Sequence, residues 1–240
     1  TTCRRRASHS SSGRSDVVWS QTGALGLSGI LVPEAHGGLG MNQVDFVLLA
    51  EECGYVALAE PLVETVLVGV PLLRDCGNAS LAAQWLPRIA AGEARIAIGL
   101  ACNPLVADAH VANLLLLQHG EELHAVPPEA VQLTANPSLD PSRRLFRVDW
   151  QPVAATLVVA GATGRALLDA ALNRAALGAA AQCLGLTQRL VDLSVAYTRD
   201  RQQFGESVGG DPVDGRAGLV DEIVDVEPGA PPVDDHLAGL

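Results

Sequence analysis

Apolar residues are not spread evenly along the chain but change period twice, and those changes divide it. From Val17 the apolar positions Val17, Val18, Trp19, Leu25, Leu27, Ile30, Leu31 and Val32 lead into a Pro and a Gly-rich stretch, Pro33 to Gly40, which must stop any helix there. Asn42 is a capping residue for a helix expected to run to about Ala59, with Val44, Val47 and Leu48 on its apolar stripe and Glu51 and Glu52 on its wet face. Pro61 suits the first turn of a second helix, where its missing N–H costs nothing, and Gly77 suits its end. A third helix is expected from about Ser80, carrying Leu81, Trp85 and Leu86 and closing at Gly92.

After Glu93 the pattern shortens. Residues 95–101, 112–118, 122–126, 131–134, 144–150 and 156–160 are brief apolar runs broken by Gly, Pro, Asn and Asp, the signature of short strands in a small β unit. From Thr163 to about Gln203 a helical period returns, through Leu167, Leu172, Leu177, Leu184, Leu190 and Tyr197. At about 1.5 Å per residue such a helix reaches about 60 Å, more than a small domain needs, so it expects partners on more than one side. The expected fold class is α+β: a helical domain over 16–94, a small β domain over 95–161 and the first long helix of a further helical domain over 162–205. Residues 1–15 read as a disordered or non-native start and 206–240 as an acidic irregular tail.

Composition narrows the function. The chain has 240 residues, 48% of them hydrophobic, enough for a real core. No run approaches the roughly 18 to 20 apolar residues of a membrane span, and the start lacks the apolar centre of a secretory signal, so a cytoplasmic location is expected. All 16 basic residues are Arg, and the net charge is −11. Nine acids against Arg216 alone give residues 206–240 a charge of −8, while 1–15 carry four Arg and no acid. Nucleic acid is excluded as a partner, because phosphate contacts need a clustered basic face on a folded surface. Cys3, Cys53, Cys76, Cys102 and Cys183 form no C-x-x-C pair and have no His at ligand spacing, so no metal site is expected.

Gly37-Gly38-Leu39-Gly40 invites comparison with a phosphate loop, yet it has neither the G-x-G-x-x-G spacing nor the Lys-Ser/Thr of a P-loop, and a flexible turn is the better reading. Its surroundings say more. Val32-Pro33-Glu34-Ala35-His36-Gly37-Gly38-Leu39-Gly40, then Glu51-Glu52-Cys53-Gly54, then Leu86-Pro87-Arg88-Ile89-Ala90-Ala91-Gly92-Glu93 resemble, in order and spacing, phrases of the acyl-CoA dehydrogenase family. The strongest match is Tyr197-Thr198-Arg199-Asp200-Arg201-Gln202-Gln203-Phe204-Gly205, similar to that family's Y-x-x-x-R-x-x-F-G at the end of a long helix.

The resemblance covers about 17–205. It implies an FAD-dependent oxidoreductase that α,β-desaturates a CoA thioester of fatty or steroid type, passes electrons to an electron-transfer flavoprotein, and assembles as a homo- or hetero-oligomer. It also implies that Arg201, Gln203 and Phe204 reach the FAD of a neighbouring subunit. A guanidinium fork suits pyrophosphate oxygens, and an aromatic face suits the nucleotide. Without the resemblance, Arg201 reads as a helix-end cation and Phe204 as a core plug.

Departures from the family pattern are as specific as the matches. Where the family has T-E-P-x-x-G-S-D, this chain has Cys102-Asn103-Pro104-Leu105-Val106-Ala107-Asp108, in a β domain that looks shortened. The shortening resembles divergent actinobacterial-type members, some of which act as partner subunits. The chemistry needs a carboxylate to take the proton α to the thioester carbonyl. Some members place it early in the long helix, where Asn173, Arg174, Ala175 and Ala176 stand here, so the catalytic base is unassigned; nearby Asp169 reads as a wet helix-start residue. After Gly205 the family's pattern gives way to Glu206-Ser207-Val208-Gly209-Gly210-Asp211-Pro212, which predicts a truncation or frame change near 206 and, without further helices, an exposed apolar stripe.

Overall fold

The computed structural model describes residues 16–140, 142, 144–203 and 206–209. The chain divides into two units, Thr1–Leu186 and Thr187–Leu240. The first opens with helix α1 (Asp16–Ala24), α2 (Gln43–Tyr55), a wide helical turn at Val63–Gly69 that runs into α3 (Val70–Asp75), and α4 (Ala79–Ala90). Asn42 caps α2 reciprocally with Asp45: its side chain accepts from the N–H of Val44 at 2.8 Å, and the Asp45 carboxylate accepts from the N–H of Asn42 at 3.0 Å.

Helix α2 stops at Tyr55, short of the expected Ala59. Ala57 takes a left-handed φ of 49°, and the N–H groups of Ala57 and Leu58 return to the carbonyls of Gly54 and Cys53, closing the helix as a Schellman turn with Ala in the place usually held by Gly. Gly92 (φ 72°) closes α4, and a Cβ there would lie 2.8 Å from Cα of Gly23, so glycines on both sides let α1 cross that exit closely. Val63, Thr65–Gly69 and Val70–Leu73 are all buried, which makes this helical segment the centre of the front core with Phe46, Leu86 and Ile89 around it.

Seven strands follow: β1 (Ile96–Gly99), β2 (Val106–Ala107), β3 (Leu114–His119), β4 (Glu122–Val126), β5 (Gln132–Asn136), β6 (Leu145–Asp149) and β7 (Leu157–Val159). They form one sheet in the order β1-β3-β4-β7 and another in the order β2-β6-β5. The two-residue side-chain period sorts the first sheet: Ile96, Leu114, Leu116 and Leu123 face the helical core, whereas Ala97, Leu115, Leu117 and Val126 form a second core with Val131, Leu133, Phe146 and Trp150. Thr65 ties the front helices to β1, accepting from the N–H of Ile96 at 3.0 Å and donating to its carbonyl at 3.3 Å.

Helix α5 (Gly161–Asp200) is buried in the first unit through Gly164, Leu168, Ala171, Gly178 and Ala181, with Gly185 last. A Cβ on Gly178 would meet Val63 and Leu67, and one on Gly185 would meet the carbonyl of Glu51, so the small residues are what allow this seam. The expected order of helical domain, small β domain and long helix is the order observed.

The second unit holds the end of α5 and the pair β8 (Gln202–Gln203) and β9 (Glu206–Ser207). Two expectations are corrected here. The helix ends at Asp200 rather than Gln203, and Glu206–Ser207 is strand rather than irregular tail. The reason is local pairing: Gln202 aligns with Ser207 and Gln203 with Glu206, and the N–H of Val208 returns to the carbonyl of Arg201 at 2.8 Å. Residues 1–15 and 210–240 lie outside the described residues. Among the described residues no helix is long and apolar enough to cross a membrane.

Candidate functional site

The glycine-rich turn is closed to anions. The N–H groups of Gly37, Gly38, Leu39 and Gly40 donate to the carbonyls of Glu34, Pro33, Gly29 and Val32, so no cradle of free amides remains, and the turn reading holds.

A cleft of about 240 Å³ opens instead where the elements of the first unit converge. Its walls are the Schellman turn of α2 with Cys53 and Gly54, residues 57–60, the end of β2 at Ala107 and Asp108, the loop residues Asp140, Ser142 and Arg144, and Ala179, Gln182, Cys183 and Leu186 of α5. Asp108, buried and held at a left-handed φ of 55°, donates its N–H to the carbonyl of Arg144 at 2.8 Å, joining two loops at the cleft wall. Glu60 is also buried, and its carboxylate lies 3.8 Å from Arg95, whose guanidinium sits 5.0 Å over the ring of Trp19. That carboxylate is committed to a charge partner and is no free base. Burial, and next the charge of Glu52, push the Cys53 thiol up to about 11, which keeps it protonated and unreactive at neutral pH.

The strand β2, unseen in the sequence, emerges from the 102–108 loop that aligns with the family's T-E-P-x-x-G-S-D. Three amides around this loop are already satisfied: Ala101 donates to the Gln118 side chain at 2.9 Å, Leu105 to the Asn103 side chain at 3.0 Å and Asn103 to the carbonyl of Leu100 at 3.0 Å. No Ser or Thr occurs between 101 and 111, so the hydroxyl that would hold a flavin ring is missing from this loop. The residues here do not fit that half of a flavin site.

Residues 173–176 offer no proton acceptor. Asn173 and Arg174 line a smaller opening with Gln43, Ala170 and Leu177, and Nη1 of Arg174 is buried without a hydrogen-bond partner among the described residues. Asp169 is exposed on the helix surface, consistent with a wet position.

At the end of α5, in the second unit, the guanidinium of Arg201 is exposed, lies 5.4 Å from the centre of the Tyr197 ring and donates to the Tyr197 hydroxyl. Tyr197 thereby holds a fork of donors open to solvent, a donor set that fits a pyrophosphate. Gln203 contributes backbone to β8, and Phe204 lies outside the described residues. The described structure thus places Arg201 and does not assemble the three expected residues into one site.

Comparison with known proteins follows the same outline. The family model for the acyl-CoA dehydrogenase N-terminal domain matches residues 4–93, and that for the C-terminal domain matches residues 162–216. The acyl-CoA dehydrogenase IpdE2 of Mycolicibacterium smegmatis is 31% identical over 186 residues, which is 77% of this chain and 54% of that protein. The chain therefore spans about half the length of the curated relatives it matches. Among solved structures, the electron transferring flavoprotein of Acidaminococcus fermentans aligns with a TM-score of 0.72 at 18% identity, over 81% of this chain and 63% of that one. Butyryl-CoA dehydrogenase from Megasphaera elsdenii aligns with a TM-score of 0.67 at 18% identity, over 82% of this chain and 64% of that one. At such identities the structural matches speak for the fold alone.

Proposed function

The chain belongs to the acyl-CoA dehydrogenase family, and on that premise we propose that it serves the FAD-dependent α,β-desaturation of a CoA thioester within a homo- or hetero-oligomer. The observation that carries the reading is the end of α5, where Tyr197 steadies the exposed Arg201 guanidinium at the position the family motif assigns to FAD contact. Arg201 binds the pyrophosphate, with Gln203 and Phe204 beside it in the motif. FAD, when bound, accepts the hydride equivalent from the substrate, and the electrons pass to an electron-transfer flavoprotein. A fatty or steroid acyl group is the substrate class.

The base that takes the α proton is not at residues 173–176, where Arg174 stands. This chain's residues therefore bind and orient, and the carboxylate comes from elsewhere in the assembly. That observation, with the hydroxyl-free 102–108 loop, favours a second reading: a partner subunit whose α5 end completes the cofactor site of another chain.

Anaerobic addition of an acyl-CoA to the FAD-loaded protein separates the two. Bleaching of the flavin band by this chain alone supports the dehydrogenase reading. Bleaching only after a complete homologue is added, and lost with Arg201→Ala, supports the partner reading. Failure to bleach in either mixture contradicts both.

A further inference from the structure

The tight hairpin joining β3 to β4 sets three side chains with metal-ligating atoms on one face of the first sheet. His119 pairs directly with Glu122, and His124 lies two residues beyond Glu122, so the strand period points all three the same way. Only Gly120 and Glu121 form the connection, with Gly120 at φ 59° in the place where a tight hairpin turn demands it. The turn is braced from outside: Glu121 pairs with Arg165 at the start of α5, and a Cβ on Gly164 would strike the carbonyl of Glu121.

Ligand atoms of the three residues all lie within 4.8 Å of one another. Nε2 of His124 is 3.1 Å from Oε2 of Glu122, and Nδ1 of His119 is 3.5 Å from the same oxygen. A tetrahedron with metal bonds of about 2.0–2.1 Å has edges of about 3.3 Å, which these two separations bracket.

The tautomer of His124 is set by its neighbours. This imidazole is 2% exposed, with Trp150 edge-on at 5.1 Å. Its Nδ1 lies 3.0 Å from Oγ1 of Thr156, and that hydroxyl gives its own proton to the carbonyl of Val153 at 2.9 Å. Oγ1 can then only accept from His124, so Nδ1 carries the hydrogen and Nε2 turns a lone pair toward the Glu122 carboxylate. Two acceptors 3.1 Å apart require a positive species between them. The hydroxyl behind the ring is also the kind of outer partner that orients a ligating histidine.

We propose that His119, Glu122 and His124 form a binding site for a divalent transition-metal cation of the Zn²⁺ type, its remaining position filled by water. Two nitrogens and one carboxylate select such a cation over Ca²⁺ or Mg²⁺, which take oxygen ligands. The open side faces solvent, since the His119 side chain is 60% exposed. The site is separate from the cleft and from the α5 terminus and is independent of the flavin reading.

The test is equilibrium dialysis of the chelator-treated full chain against Zn²⁺, with a thermal melt in parallel. The expected result is about one equivalent retained and a melting midpoint that rises with Zn²⁺. His119→Ala and Glu122→Gln each cut the affinity by about tenfold or more, at least what loss of an outer partner costs, and abolish the rise. His119 is exposed, so its variant folds even if a change at buried His124 does not. Cys102→Ser and Cys183→Ser leave both readouts unchanged. Retention of no Zn²⁺, or retention unaffected by His119→Ala and Glu122→Gln, overturns the proposal and leaves a proton shared between imidazole and carboxylate.

Discussion

Within the first unit the two sides of α5 follow opposite rules. The inward side is Gly164, Leu168, Ala171, Gly178, Ala181 and Gly185, small residues that bring backbone against backbone. The outward side carries Leu172, Leu177, Leu184 and Leu186, each between 38% and 58% exposed. Small residues specify position, because any added carbon collides with Glu51, Val63 or Leu67. Large exposed leucines specify only that apolar surface is offered, at about 25 cal/mol per Å² once covered. One side fixes the fold of this chain, and the other is suited to assembly, in keeping with the oligomer proposed above.

The largest effect should come from the layer beneath the seam. Phe46 of α2 is fully buried, and Phe46→Ala is expected to cost about 3–5 kcal/mol in denaturant unfolding, through lost burial and the cavity left behind. Gly185→Val attacks the seam itself. Its branches would press on the backbone at Glu51 and Tyr55, costing about 1–3 kcal/mol by overpacking and lowering the melting midpoint accordingly. Removing the α2 cap with Asn42→Ala should cost about 1 kcal/mol. On the outward side, the double change Leu177→Gln and Leu184→Gln should alter folding stability by less than about 0.5 kcal/mol while reducing self-association in sedimentation velocity. A stability loss there as large as that of Gly185→Val would erase the distinction between the two sides.

Elements with a clean period and a capping residue were legible in the sequence. Asn42, Gly77 and Gly92 mark the helix boundaries they were expected to mark, and the six expected apolar runs became strands. The end of α2 was missed because Ala57 adopts a conformation for which Ala gives no signal. Strand β2 is two residues long, too short for any period. The end of α5 was overrun because Tyr197, followed by Phe204, keeps an apolar helical spacing past Asp200. The histidine and glutamate trio was invisible for another reason. His119-x-x-Glu122-x-His124 fits no helical ligand spacing, and only the two-residue hairpin brings 119 and 122 side by side. Of the expected FAD residues, Arg201 is placed with a supporting partner, Tyr197, which the motif contained but whose role depends on the helix geometry.

The decisive measurement for the account is FAD titration into the purified chain followed by visible absorption, with Arg201→Ala alongside. The account predicts saturable uptake with the perturbed flavin bands of a bound cofactor, weakened about tenfold or more in Arg201→Ala, as expected for losing a charge-assisted pyrophosphate contact of about 1.5–3 kcal/mol. A spectrum that remains that of free FAD at every ratio, or uptake indifferent to Arg201→Ala, would contradict it.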